Sequence, residues 1–226
     1  MAKSKRSSSA PTGTPHQISE VYKVDHRIIL PPEQDHIEKY YHYARAFSEP
    51  ECEKLIEIAE VNGFSEGSIG IGKDQKPYVD TNYRMVSVSR IIPEQAPWAF
   101  DRVRDRCEWV NKEYRFDVHG LYEDIGIMRY DEAAPDSPAG HYNWHQDFGG
   151  GPYARRKISV VALLSPPDLF EGGDLLMFAD KGEERMSLNQ QGDMVVFPSW
   201  APHCVTPVNR GRRYSLVAWV SGPRFR

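Results

Sequence analysis

The sequence predicts a mainly β protein, a double-stranded β-helix or jelly roll, with two helices packed on the outside of one sheet. Three observations carry this expectation. Eight short apolar segments follow one another from Leu121 to Val220. Turn signals separate them: Pro135-Asp136-Ser137-Pro138, Gly149-Gly150-Gly151, Glu171-Gly172-Gly173, Gln191-Gly192 and Asn209-Arg210-Gly211. Ahead of them lie two stretches whose apolar residues recur at helical spacing. At 226 residues the chain fits one domain, taken as residues 19–226 with the jelly-roll core over about 121–222. Residues 1–18, basic and then rich in Ser, Pro and Gly, read by composition as a disordered tail.

Each element has a local reason. Tyr40, Tyr41, Tyr43 and Phe47 predict a first strand over 40–47. Ser48-Glu49-Pro50-Glu51 is a helix start: Ser48 can cap, Glu51 completes a capping box, and Pro50 is tolerated in the first turn. Leu55, Ile56, Ile58 and Ala59 give that helix an apolar face, and Gly63 ends it. Gly63, Gly67, Gly70 and Gly72 make 63–83 a loop, with Tyr78, Tyr83 and Arg84 at its end as candidate substrate contacts. Alternation from Arg84 to Ile92 predicts one strand. A second helix starts between Pro93 and Pro97 and turns Val103, Cys107, Val110 and Tyr114 to one side. The charges between them, Arg102, Arg104, Asp105, Arg106 and Glu108, are its solvated face. The later strands are predicted over 121–130, 142–148, 157–165, 174–178, 185–188, 193–197, 203–207 and 213–220.

Composition narrows the function classes. A formal net charge of −4 argues against nucleic acid as the main partner. No apolar run is long enough to span a membrane, and Met1-Ala2-Lys3-Ser4-Lys5-Arg6 leads into Ser and Pro rather than a signal-like core. Cys52, Cys107 and Cys204 are odd in number and share no ligand spacing, which suits a reducing, cytoplasmic setting.

The stretch Trp144-His145-Gln146-Asp147-Phe148 carries the chemistry. Alternate residues of a strand share a face, so His145 and Asp147 can bind one ion together. A second imidazole would complete two His and one carboxylate, the facial set of non-haem Fe(II) oxygenases. The short motif alone is weak: with 8 His and 32 Asp+Glu in the chain, roughly one such match arises by chance. His36-Ile37-Glu38 is one, in a polar, turn-like segment. His145 differs in lying among strands, with His203 at the entry to a late strand that a jelly roll lays beside an early one. Ten positions after His203 comes Arg213, sharing a strand face with Ser215. An arginine on a buried strand needs an anion, and a small carboxylate gripped by two parallel hydrogen bonds supplies it.

This set, with Ala46-Phe47-Ser48-Glu49-Pro50-Glu51-Cys52, Glu171-Gly172-Gly173-Asp174-Leu175, Gly192-Asp193-Met194-Val195-Val196-Phe197 and Arg213-Tyr214-Ser215-Leu216-Val217-Ala218-Trp219, resembles the Fe(II)/2-oxoglutarate-dependent dioxygenases, and within them the prolyl 4-hydroxylase-like branch. The resemblance covers roughly residues 40–222. It implies Fe(II) held by His145, Asp147 and His203, O2 as oxidant, and ascorbate as an optional reductant. It implies 2-oxoglutarate on Arg213 and Ser215, with Tyr130 assisting, Trp219 lining that pocket and Tyr142 on its side. It also implies conversion of 2-oxoglutarate to succinate and CO2, with a peptidyl proline as the hydroxylated group. Segment 131–140 is longer and richer in Pro than the family pattern, and loop 63–83 matches no known peptide-binding pattern. A peptidyl lysine, a free amino acid or a nucleobase stays open as substrate, as does a jelly-roll module that binds without turnover.

Overall fold

In the computed structural model, residues 38–67, 80–179 and 182–224 are described. The expected tail, the segment 19–37, His36 and Tyr78 lie outside them, as does most of the loop expected over 63–83. No helix among the described residues is long and apolar enough to cross a membrane.

The two helices form where their caps predicted. Helix α1 spans Glu49–Asn62, with the Ser48–Glu51 capping box made and Gly63 ending it at φ 81°. Cys52, Leu55 and Ala59 are its buried residues. Helix α2 spans Pro97–Tyr114 and buries Ala99, Val103, Cys107, Val110 and Tyr114, the spacing read from the sequence. One of its charges is not simply solvated. Arg102 reaches across to Glu51 at 2.9 Å and ties the two helices together.

The strands are more numerous than the sequence suggested, and several differ in length. They are β1 (Tyr41–Tyr43), β2 (Ser65–Glu66), β3 (Arg84–Met85), β4 (Ser87–Ile91), β5 (Gly120–Leu121), β6 (Ile125–Asp131) and β7 (His141–His145). Then come β8 (Arg156–Leu163), β9 (Phe170–Gly172), β10 (Leu175–Ala179), β11 (Gly182–Arg185), β12 (Met194–Pro198), β13 (His203–Val205) and β14 (Val208–Ser221). Nine form a major sheet, β1-β12-β8-β14-β6-β4-β2, with β5 and β9 paired to β14. Five form a minor sheet, β11-β10-β13-β7-β3.

Alternation decides which face of the major sheet meets what. Ile127, Ile158, Val160, Met194, Leu216 and Ala218 face the helices and pack on Leu55, Val103 and Val110. Met128, Tyr130, Val161, Phe197 and Trp219 face the other way and form a second core with Leu175, Met177 and Val205 of the minor sheet. The helices therefore cover one sheet from outside, as expected, and the gap between the sheets is left for a site.

Four local expectations differ. Strand β1 stops at Tyr43, because Arg45 adopts a left-handed φ of 47° and turns the chain toward α1. The single strand over 84–92 is two strands in different sheets, β3 on β7 and β4 on β6, separated at Val86. Glu171-Gly172-Gly173 is partly strand β9, paired with β14. Asn209-Arg210-Gly211 is no turn: β14 runs through it, with Gly211 at φ 76° where a Cβ would lie 2.1 Å from the Leu169 carbonyl oxygen. Local composition marked these glycines as breaks, but the β9–β14 pairing takes in Gly172 and Gly211, each at a positive φ.

Candidate metal and carboxylate site

His145 ends β7 and His203 begins β13, and the two stand directly opposite each other in the antiparallel pair. Facing residues of such a pair bring their Cβ atoms to about 5 Å, and here the ring centroids are 4.2 Å apart. Each Nδ1 lies on a backbone carbonyl, 2.8 Å from Asn143 O and 2.9 Å from Ala201 O. That contact makes Nδ1 the protonated nitrogen and leaves a lone pair on Nε2.

Asp147 reaches the same point by a different route from the one expected. It lies beyond the end of β7, not on it. Its neighbours fix it instead: Gln146 Nε2 donates to the Trp200 carbonyl, and Phe148 N donates to Ser199 O at 3.0 Å. The carboxylate then sits 3.8 Å from His145 Nε2 and 3.6 Å from His203 Nε2. One ligand atom from each residue lies within 4.8 Å of the others.

Two imidazole nitrogens and one carboxylate converge, with the Asn143 and Ala201 carbonyls holding the tautomers. That donor set fits an octahedral Fe(II) with open positions. The electrostatics agree. Burial pushes the His145 imidazole down to about 3, and the neighbouring His203 adds to this, so it stays neutral and available as a ligand. Burial alone would raise the Asp147 carboxyl, but His203, His145 and the Ser159 hydroxyl hold it below the usual carboxylate range.

The site opens into a cavity of about 550 Å³ between the sheets. Tyr142 lies flat on the His145 ring, with centroids 3.5 Å apart and planes 12° from parallel. Its phenol is pushed up to about 12, chiefly by burial, so it keeps its proton. Trp219 and Tyr130 line the same space. The guanidinium of Arg156 covers Trp219 at 3.5 Å, and Glu123 holds that guanidinium through two contacts.

Arg213 is buried at 2% exposure. Its Nη1 donates to Ser215 Oγ at 3.1 Å, and Tyr130 stands opposite it in the β14–β6 register, ring centroid 5.5 Å away. Among the described residues no carboxylate lies within ion-pair distance of it, so a buried cation is left for an anion to neutralise. The large cavity reaches Ser215, Tyr130 and Leu175. Arg213 itself lies just behind them and borders a separate void of about 20 Å³, which Leu175 also lines. Gly173 permits the packing, because a Cβ there would lie 2.7 Å from Arg213 Cδ.

The structure thus brings His145, Asp147, His203, Tyr142, Tyr130, Ser215 and Trp219 to one cavity, with Arg213 at its back. Sequence reasoning missed Ser159, whose hydroxyl donates to Asp147 Oδ2 at 2.6 Å and lies 2.9 Å from the Ser199 hydroxyl. It also missed Arg156 and Arg90, both of which line the cavity. A serine in the otherwise apolar run of β8 was the available signal.

Comparison with known proteins agrees with this geometry. The sequence pattern of the 2OG-Fe(II) oxygenase superfamily matches residues 125–221. A PKHD-type hydroxylase of Synechococcus sp. (strain CC9605) is 38% identical over 154 residues, which cover 58% of this chain and 69% of that protein. A prolyl hydroxylase of Trichoplax adhaerens, solved with a peptide fragment of the hypoxia inducible factor oxygen degradation domain, superposes with a TM-score of 0.64 at 15% identity, covering 93% of this chain and 94% of that one. A Pseudomonas putida prolyl-4-hydroxylase superposes at 0.61 with 19% identity, covering 82% and 93%. The two structures establish the shared fold, and the sequence match fixes the membership: this chain belongs to the 2OG-Fe(II) oxygenase superfamily, with Fe(II) and 2-oxoglutarate as cofactor and cosubstrate of a dioxygenase reaction.

Proposed function

We propose that this chain hydroxylates a prolyl residue of a peptide or protein, with Fe(II) held by His145, Asp147 and His203 and the distal carboxylate of 2-oxoglutarate held by Arg213. The observation that carries the assignment is the convergence of two Nε2 lone pairs and a buried carboxylate on one point of a 550 Å³ cavity. Iron with 2-oxoglutarate and O2 supplies the oxidising chemistry: the keto acid becomes succinate and CO2, and one oxygen atom enters a C–H bond of the substrate.

The protein's own groups do the positioning. The carbonyls of Asn143 and Ala201 hold each imidazole in the ligating tautomer. Ser159 fixes the Asp147 carboxylate that would join the two imidazoles in holding the ion. Arg213 and Ser215 take the far carboxylate, and Tyr130 walls that end. Tyr142, stacked on the His145 ring, and Trp219, covered by Arg156, wall the cavity beside the proposed metal ligands. The open cavity suits a peptide loop entering from solvent, and the peptide complex of the Trichoplax relative supports that class of substrate. Cys52, Cys107 and Cys204 are buried and unbridged, which favours a reducing compartment.

The test is turnover with proline-containing peptides, Fe(II) and 2-oxoglutarate, read as a mass gain of one oxygen atom. Asp147→Ala should abolish it. Succinate formation that no proline peptide stimulates would end the proline assignment.

A further inference from the structure

The wall of the cavity away from Arg213 carries a cation that the reaction described above does not use. Along β4, Val88 and Arg90 point to the inner face, while Ser89 and Ile91 pack toward the helices. Arg90 stands opposite Gly126 in the β4–β6 register, and Gly126 stands opposite Val217 of β14. A Cβ at Gly126 would lie 3.4 Å from Nη1 of Arg90 and 3.0 Å from Cγ2 of Val217. The missing side chain lets the guanidinium fold back across β6 toward the middle of the sheet, where it lines the cavity.

Glu123 and Asp124 act on its charge from a distance, but neither pairs with it. Two other cations line the cavity: Arg156 is held by Glu123, and Arg84 lies over the Tyr142 ring. Arg90 has no hydrogen bond or ion pair from its guanidinium to any described residue. Glu66 also lines the cavity, without lying within ion-pair distance of Arg90. The strand that carries Arg90 is held by its register with β6 and by Asn62 Nδ2 donating to the Arg90 carbonyl at 2.7 Å. An unpaired guanidinium on a fixed strand, facing a substrate cavity of an acidic protein, suits a carboxylate.

Its distance from the chemistry can be bounded. Asp147 is tied to Ser159 on β8, and the Arg90 guanidinium lies over β6, two strands away. Two strand spacings are about 10 Å. An extended peptide covers that in about three residues. Arg213 is a separate locus, since Tyr130 lies four residues along β6 from Gly126, about 13 Å at strand rise.

Resting on the hydroxylase reading above, we propose that Arg90 selects acidic substrates: it grips an Asp or Glu side chain within about three residues of the oxidised residue. The test uses paired proline peptides that differ only in Glu or Gln at flanking positions. Two measurements are made on the full chain with saturating 2-oxoglutarate. The first is kcat/KM for oxygen insertion with Fe(II). The second is the NMR signal of the Arg90 Nε–H during titration of each peptide into the Zn(II)-loaded protein. We expect the Glu peptide to be preferred about tenfold or more at one flanking position, and only that peptide to move the Arg90 signal. Arg90→Gln should bring the ratio near one and Arg90→Glu should favour a Lys peptide, whereas Arg104→Gln on the exposed face of α2 should leave the preference intact.

Equal use of Glu and Gln peptides, or a preference that survives Arg90→Gln, overturns the assignment while the proline reading stands. A Glu-specific shift of the Arg90 signal without turnover keeps the carboxylate site and rejects proline as target. Neither shift nor turnover rejects both.

Discussion

Ser159→Ala tests whether the Asp147 carboxylate of the proposed metal site is positioned by its hydrogen-bonded neighbour. The Ser159 hydroxyl donates to Asp147 Oδ2 at 2.6 Å from the buried inner face of β8. A hydrogen bond to a charged group contributes about 1.5–3 kcal/mol, and each 1.4 kcal/mol is about tenfold in an equilibrium constant. Removing it should weaken metal binding roughly ten- to hundredfold, the range typical of outer-shell partners. The substitution deletes a single oxygen, and Ser199 still faces the gap, so the fold should survive. The assay is competitive titration of Fe(II), or of Co(II) as a spectroscopic surrogate, under anaerobic conditions, with far-ultraviolet circular dichroism to check the fold. At saturating metal, 2-oxoglutarate affinity should stay near that of the parent, because Ser159 lies far along the sheet from Arg213. Metal affinity within about threefold of the parent, in a folded variant, would refute the view that Ser159 positions the carboxylate.

Three further outcomes are expected. Arg213→Met should lower 2-oxoglutarate affinity at least about hundredfold, because a buried carboxylate loses its only cation; without cosubstrate the thermal midpoint should hold or rise, since a buried charge lacking a carboxylate partner has been removed, and equal loss of metal binding would count against the assigned role. Gly192→Ala should destabilise by about 3 kcal/mol or more, because Gly192 sits at φ 87° with its Cβ position 1.8 Å from the Phe47 carbonyl oxygen; a melting curve within a degree or two of the parent would contradict this. In metal-free protein, His145 stays neutral until about pH 3 when folded, while its unfolded value is 6.5. The unfolded chain therefore binds the extra proton, so this group's contribution is complete above pH 6.5 and is lost as pH falls. Stability in denaturant titrations should therefore fall as pH drops below 6.5, and His145→Gln should flatten that slope.

The helices were legible because their signals are local. Ser48, Glu51 and Gly63 fix the ends of α1 through hydrogen bonds within a few residues, and Val103, Cys107, Val110 and Tyr114 mark the buried face of α2 wherever that helix packs. The strand boundaries were not legible. Gly172 and Gly211 look like breaks in sequence, but β9 and β14 pair through them, and the single strand read over 84–92 is divided between two sheets by contacts with β7 and β6. The donor set His145, Asp147 and His203, and Arg213 with it, could be named in advance because the proposed chemistry requires those residue types.

By itself the sequence determined the donor set, the two capped helices and the β-rich core, since each follows from residue type and short-range period. Only the tertiary structure decided how the donors meet. Asp147 is aimed by ties to the 199–200 turn rather than by strand alternation, Ser159 is brought to it from β8, and Arg90 crosses the bare Cα of Gly126 to face the cavity. These juxtapositions join residues distant in the chain, and no local pattern encodes which strands will lie side by side.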